Sequence, residues 1–190
     1  MAAARRLFTE QAYGDVSVDT IADAAGVTKG AFYYWFRDKA DVARDVRHQL
    51  FDEATAQAMT TLPADADVLA ALEAGFSRFL LALANLGDAR GFLLETWRMP
   101  ADDEGPFDQE HGVALVAGML RGGIERGEVT PIDPDAVAVF LVGGCSELAR
   151  YALESWQTTV AVETLRQLID SFRPAPSANR RRRAVSVRGR

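Results

Sequence analysis

The residues best placed to do chemistry lie in one stretch. Residues 17–39 read Ser-Val-Asp-Thr-Ile-Ala-Asp-Ala-Ala-Gly-Val-Thr-Lys-Gly-Ala-Phe-Tyr-Tyr-Trp-Phe-Arg-Asp-Lys. The chemistry they offer is recognition of a charged, hydrogen-bonding duplex. Lys29 can reach guanine acceptors or phosphate, and the hydroxyls of Thr28, Tyr33 and Tyr34 can bond phosphate oxygens. Gly30 and Ala31 have no bulk, so the backbone can come close, and Ala31 can touch a thymine methyl. Lys39, at the start of a further helix, can hold a phosphate together with that helix N-terminus. Ser17, which opens the stretch, joins them in the candidate DNA-binding set of Ser17, Thr28, Lys29, Gly30, Ala31, Tyr33, Tyr34 and Lys39.

Such side chains need a frame. Ile21, Ala22 and Ala25 form one apolar face of a short helix opened by Ser17. Ala25-Gly26-Val27 makes a tight turn in which Gly26 tolerates positive φ and Val27 plugs the core. Thr28 caps a second helix, whose inner face is Phe32 and Phe36, four apart. Trp35 is open to two readings, core or groove edge. The whole is a helix-turn-helix, whose second helix enters a major groove N-terminus first.

Residues 2–46 resemble the DNA-binding domain of the tetracycline-repressor (TetR) family of one-component bacterial regulators. The resemblance rests on Ala3-Ala4-Arg5-Arg6-Leu7-Phe8, Ser17 to Ala22, Ala25 to Gly30, Phe32 to Phe36 and Asp38-Lys39. It implies that Thr28, Lys29, Gly30, Ala31, Tyr33, Tyr34 and Lys39 sit at DNA-contacting positions. Three departures stand out. Ala12 precedes the aromatic Tyr13 where the family usually has glycine. Trp35 stands where histidine is common before Phe36. The first helix begins almost at Met1, where relatives carry several more residues, often basic.

The rest of the chain reads as helix throughout, with no convincing alternating strand pattern. The expected helices, about nine, span 2–12, 18–25, 29–36, 39–60, 66–85, 88–98, 107–126, 134–154 and 159–172. Asp38 caps the fourth. Asp133-Pro134-Asp135 opens the eighth with a capping acid, a proline at the first helical position and a second acid at the positive end of the dipole. Gly26 and Gly127 end helices. Loops fall at Pro63, over 100–106 and at Thr130-Pro131. The expected architecture is all-α. An N-terminal three-helix helix-turn-helix DNA-binding domain (1–46) joins a C-terminal helical ligand-binding and dimerisation domain (47–172). An Arg-rich tail (173–190), expected to be disordered, follows. Helix 39–60 crosses the boundary and joins the two parts rigidly.

Charge divides along the same lines. Residues 1–50 carry seven Lys or Arg and seven Asp or Glu, residues 51–172 seven and twenty, and residues 173–190 seven Arg and no acid. The acidic middle repels phosphate, so nucleic-acid contact must come from the ends.

The family resemblance implies that this acidic block binds a small ligand and dimerises. Two stripes support a homodimer through helices near 134–154 and 159–172: Val137, Phe140, Leu141, Gly144, Leu148 and Tyr151, then Val162, Leu165, Leu168, Ile169 and Phe172. Gly143, Gly144 and Cys145 would let a partner helix approach. Phe76, Phe79, Phe92, Trp97, Met119 and Phe140 are the candidate ligand contacts, with Arg78, Glu95, Arg98, His111 and Glu147 as polar candidates around an apolar cavity.

One cysteine, Cys145, and two distant histidines leave no disulfide framework and no metal-ligand spacing. No nucleophile elbow or phosphate loop is present, so no catalytic residue, metal or cofactor is expected. No signal peptide is legible, and the apolar runs fall short of the ~20 residues of a bilayer span. The setting expected is cytoplasmic. The function expected is a DNA-binding transcriptional regulator, a ligand-responsive repressor that grips a palindromic operator as a homodimer and is released by an unidentified small-molecule effector. Two rivals are a helical enzyme, which a bound metal or cofactor would favour, and a helical adaptor whose front binds protein. A basic groove-facing patch on the folded surface would count against the adaptor.

Overall fold

The computed structural model describes residues 1–59, 66–97, 99 and 109–175, with only the backbone for 109 and 110. Within these residues the chain is helical, with no strand. The helices are α1 (Ala2–Glu10), α2 (Val18–Ala25), α3 (Lys29–Trp35), α4 (Lys39–Met59), α5 (Val68–Ala84), α6 (Ala89–Thr96), α7 (Gln109–Glu125), α8 (Pro134–Ser155) and α9 (Thr158–Asp170). Each expected helix is present, with ends shifted by a few residues. The first helix stops at Glu10, and a 3-10 turn follows at Tyr13–Asp15 that the sequence reading ran past. The tail beyond residue 175, Arg98, the Pro63 loop and the whole 100–106 loop lie outside the described residues.

The helix starts follow from their caps. Ser17 Oγ accepts from the Thr20 N–H at 3.0 Å, Thr28 Oγ1 from Ala31 at 3.1 Å and Asp38 Oδ1 from Asp41 at 2.8 Å. Asp133 Oδ1 accepts from both Asp135 and Ala136 ahead of Pro134. Each bond satisfies an N–H that the helix itself leaves without a partner. Gly26 (φ 68°) and Gly127 (φ 72°) take the left-handed conformation that ends α2 and α7.

One contiguous core runs from Ala4 to Ile169. Helix α4 is its spine: Val42, Ala43, Val46, Arg47, Leu50, Phe51, Ala54 and Ala58 are all buried. It packs on α1, α5 and α6. A second tie between front and back is aromatic. Phe8 of α1 and Phe92 of α6 are stacked with centroids 5.0 Å apart and planes 7° from parallel. The Tyr13 N–H donates to Glu95 Oε2 of α6 at 2.8 Å.

Helix α8, 22 residues with a mean hydropathy of 1.4 over an 18-residue window, is by length and composition alone apolar enough to cross a membrane, although no uninterrupted apolar run in it is that long. Here it packs on α5, α6, α7 and α9. Its apolarity divides between a buried face (Ala138, Leu141, Val142, Cys145, Ala149) and an outward one bearing Val139 and Phe140, 59% and 57% exposed.

The tightest helix contact tested by a glycine is at Gly123. A Cβ there would meet Val129 Cγ2 at 2.7 Å and Val68 Cγ1 at 2.8 Å. Gly123→Ala is therefore expected to force α5 and α7 apart and to cost about 1–3 kcal/mol, read as a lower urea midpoint with unchanged m-value.

Candidate nucleic-acid interface

Helices α2 and α3 meet at the Gly26 turn, and α3 lies open. Phe32 alone anchors it fully, at 4% exposure, with its ring 5.6 Å from that of half-buried Phe36. Tyr33, Tyr34 and Trp35 are 50%, 80% and 74% exposed. Trp35 therefore belongs to the open surface, and of its two readings the core one falls. Tyr34 and Trp35 support each other edge to face, with centroids 5.1 Å apart. Val27 corrects another expectation. It is 44% exposed and plugs nothing, and Ala25 is exposed as well. A helix of seven residues is too short to bury both its own inner face and the turn before it.

Thr28, Lys29, Gly30 and Ala31 are all exposed along the N-terminal half of α3. A Cβ on Gly30 would find only Thr28 Oγ1, at 3.9 Å, so nothing inside the chain requires glycine there. Ser17 is exposed at the start of α2, its hydroxyl shared between the Thr20 N–H and the Thr20 hydroxyl at 2.7 Å.

The cations are not where a bare sequence leaves them. Lys29 Nζ sits 2.7 Å from Asp19 Oδ1 and 3.1 Å from Asp19 Oδ2, a pairing that raises its pKa. Lys39 Nζ donates to the carbonyls of Tyr13 (2.8 Å) and Gly14 (3.4 Å) and lies 4.2 Å from the Tyr13 ring centroid. It closes the C-terminal end of the 3-10 turn, an internal use that sequence spacing did not suggest. Arg37 and Arg44 both hold Asp41, at 2.9 and 2.7 Å. Arg5 pairs with Glu53, and Arg6 with Glu10. Arg47, 1% exposed, donates to the Thr96 carbonyl at the C-terminus of α6, while its Nε and Nη2 lack partners among the described residues. Burial, and then the Arg44 charge, lower its pKa. All seven Lys and Arg of residues 1–50 thus have acceptors within the chain. Lys29, Arg5, Arg6, Arg37 and Arg44 face carboxylates, whereas Lys39 and Arg47 are held by uncharged carbonyls.

The second candidate site is a cavity between α4, α5, α7 and α8, about half open to solvent. Phe76, Phe79 and Met119 of the expected contacts line it. The other three do not. Phe92 is spent on the Phe8 stack, Phe140 faces outward, and half-buried Trp97 packs behind the cavity wall with its ring 5.4 Å from that of Phe51. Phe51, Thr55, Leu72, Val142 and Ser146, not singled out in the sequence, complete much of the wall, together with Cys145, which the sequence reading set at a dimer contact instead. A helical stripe shows which residues face inward but not where four such faces fail to meet. Among the polar candidates, Glu95 serves the Tyr13 N–H, Glu147 pairs with Arg150 at 2.9 Å, and His111 is exposed. Arg78 is half-buried on α5, outside the cavity wall. No lining residue among those described is charged. Cys145 is fully buried, and desolvation pushes its thiol up to about 12, so it is a neutral wall group.

The dimer stripes also divide. Leu141, Leu165 and Ile169 belong to the chain's own core, whereas Phe140, Tyr151 and Leu168 are exposed and Val137, Leu148, Val162 and Phe172 half-buried. Cys145 points inward. A Cβ at Gly143 or Gly144 would meet nothing within 4 Å.

Residues 1–46 match the model of the bacterial regulatory proteins of the tetR family. Over 43 residues the chain is 46% identical to the HTH-type transcriptional regulator AcrR of Shigella flexneri, covering 23% of this chain and 20% of that protein. Over 33 residues it is 58% identical to the transcriptional regulator AcuR of Cereibacter sphaeroides, covering 17% and 15%. The matched stretches thus span a fifth or less of these relatives. In fold the likeness covers nearly everything. A TetR-family transcriptional regulator from Pectobacterium atrosepticum superposes with a TM-score of 0.71 at 23% identity over 92% of both chains. FadR of Bacillus subtilis, in complex with stearoyl-CoA, gives 0.68 at 18% identity over 88% and 94%.

Asp41 ties the start of α4 to its surroundings. Its carboxyl is held well below the usual range, first by the Arg37 side chain, then by the Arg37 N–H and by Arg44. A carboxylate with a depressed folded pKa stabilises above the ordinary Asp pKa of about 4, and that contribution fades as pH falls below it. Asp41→Asn is therefore expected to be less stable than the parent at pH 7. The gap, followed by urea unfolding, should close as pH is lowered through and below about 4.

Proposed function

We propose that this chain, whose residues 1–46 belong to the tetR family of bacterial regulatory proteins, is a DNA-binding transcriptional regulator that works as a homodimer and answers to a small molecule. The observation that carries the reading is the exposed α3, with Lys29 to Ala31 at its open N-terminal half and three large aromatics exposed beside them. Residues 1–46 act as the DNA reader, with Ser17, Thr28, Lys29, Gly30, Ala31, Tyr33 and Tyr34 as its contacts. Lys39 contributes by bracing the turn below, and reaches phosphate only on leaving the Tyr13 carbonyl. Residues 47–172 act as the ligand-binding and dimerising part.

A palindromic operator needs two recognition helices about one DNA turn apart, so a second copy must be held in register. The outward faces of α8 and α9, with Phe140, Val139, Tyr151, Val160 and Leu168 exposed, offer an apolar surface for that copy. Helix α4 passes from the cavity wall at Phe51, Thr55 and Ala58 to the buried contacts of Val42 and Val46 in the front core. An effector in the cavity favours the α4 position that suits it, and a repressor is released when that position no longer suits the operator. The Bacillus subtilis relative's complex with stearoyl-CoA supports a small-molecule effector.

The test begins with genomic fragments enriched by the purified protein. On the best fragment at fixed salt, Lys29→Met and Tyr33→Ala are each expected to weaken binding by roughly tenfold or more, with helicity and oligomeric state unchanged. Undiminished affinity in both variants would refute the assignment of α3. Separately, Phe140→Glu places a charge in the proposed interface. Light scattering is expected to report a monomer, and fragment binding should drop with it.

A further inference from the structure

Lys29 is the sole cation of α3, and the fold gives it a carboxylate. Asp19 lies in the first turn of α2 and meets Lys29 with both oxygens, at 2.7 and 3.1 Å. The carboxylate has no capping duty there, because Ser17 accepts from the Thr20 N–H. Both side chains are exposed, 64% for Asp19 and 56% for Lys29, so the pair is open to competition from any stronger anion. The other front cations are committed elsewhere: Arg37 and Arg44 to Asp41, Lys39 to backbone carbonyls, Arg5 to Glu53, Arg6 to Glu10.

Non-specific affinity for duplex DNA comes almost wholly from cations that displace counterions at phosphates. A reading surface whose one helix cation is already paired contributes little of it. Resting on the DNA-reading function proposed above, we propose that Asp19 is a specificity-determining residue. It withholds Lys29 from phosphates of unrelated sequence and yields it only where the duplex also offers Asp19 a new donor. The cytosine amino group in the major groove is such a donor, and carboxylates accept from it. At a site without one, freeing Lys29 leaves a carboxylate facing phosphate, and binding is penalised. Discrimination thus comes from a repulsive element beside the attractive one.

The experiment uses the full-length protein and four forms: parent, Asp19→Asn, Lys29→Met and the double variant. Each is titrated with a random-sequence duplex and with the best enriched genomic fragment, between about 50 and 200 mM salt. Asp19→Asn is expected to bind the random duplex several-fold more tightly at the low-salt end. Its log–log salt slope should steepen by about 0.9, one extra phosphate contact, and its preference for the enriched fragment should shrink. In the Lys29→Met background the same Asp19→Asn change should leave the slope unaltered. An unchanged slope in the single variant overturns the proposal. So does an equal increment with Lys29 absent, which would make Asp19 a general repulsive charge. If the parent binds no duplex even at low salt, the DNA-reading function itself falls, a result distinct from either of these.

Discussion

Helix α4 belongs to two packing groups at once, and the architecture depends on that sharing. It packs on α1 and α6 as well as on α5, and Phe51, Thr55, Ala58 and Met59 of its later turns wall the cavity. A helix is stiff along its axis, and a packed core does not deform continuously. Phe51 and Thr55 at the cavity and Val42 and Val46 toward the front thus lie on one stiff element. The Phe8–Phe92 stack and the Tyr13–Glu95 hydrogen bond fasten α6 to the same front group. Front and back are thus joined along two lines, α4 and α6, which meet where buried Arg47 donates to the Thr96 carbonyl of α6. A guanidinium with two nitrogens unpartnered among the described residues is costly in that position.

The two candidate sites differ in kind. The α3 surface is polar and aromatic, and its charge is cancelled locally. Its one cation, Lys29, is held by Asp19. The cavity is nearly all hydrocarbon, with Thr55, Ser146 and a neutral Cys145 thiol as its polar side chains among the described lining. A wall of that composition favours uncharged or apolar matter, since a charge moved into it would lose its hydration without compensation.

Much of this was legible in the residues. The caps at Ser17, Thr28, Asp38 and Asp133 announced their helices, and Gly26 and Gly127 announced where two of them end. These are local effects: an oxygen within reach of an unbonded N–H, or a residue without Cβ where φ turns positive. The helix-turn-helix and its open face followed from the same short-range rules. Val27 went astray and Trp35 stayed open between two readings, because their burial depends on how α3 stands against the rest of the molecule, which no local pattern encodes.

What the sequence determined by itself, then, was the order of helices and which side of α3 carries the polar groups. Periodicity and capping act within a few residues of each other. The partners of the cations were decided only in three dimensions. Lys29 meets Asp19 across the α2–α3 turn, Lys39 meets the carbonyl of Tyr13, and Arg47 meets that of Thr96, 49 residues away. The cavity and the split of the α8 and α9 stripes into inner and outer faces arose the same way. Net charge and apolar spacing are sums along the chain. Neutralisation and burial are set by which distant surfaces come to lie within a few ångströms of each other.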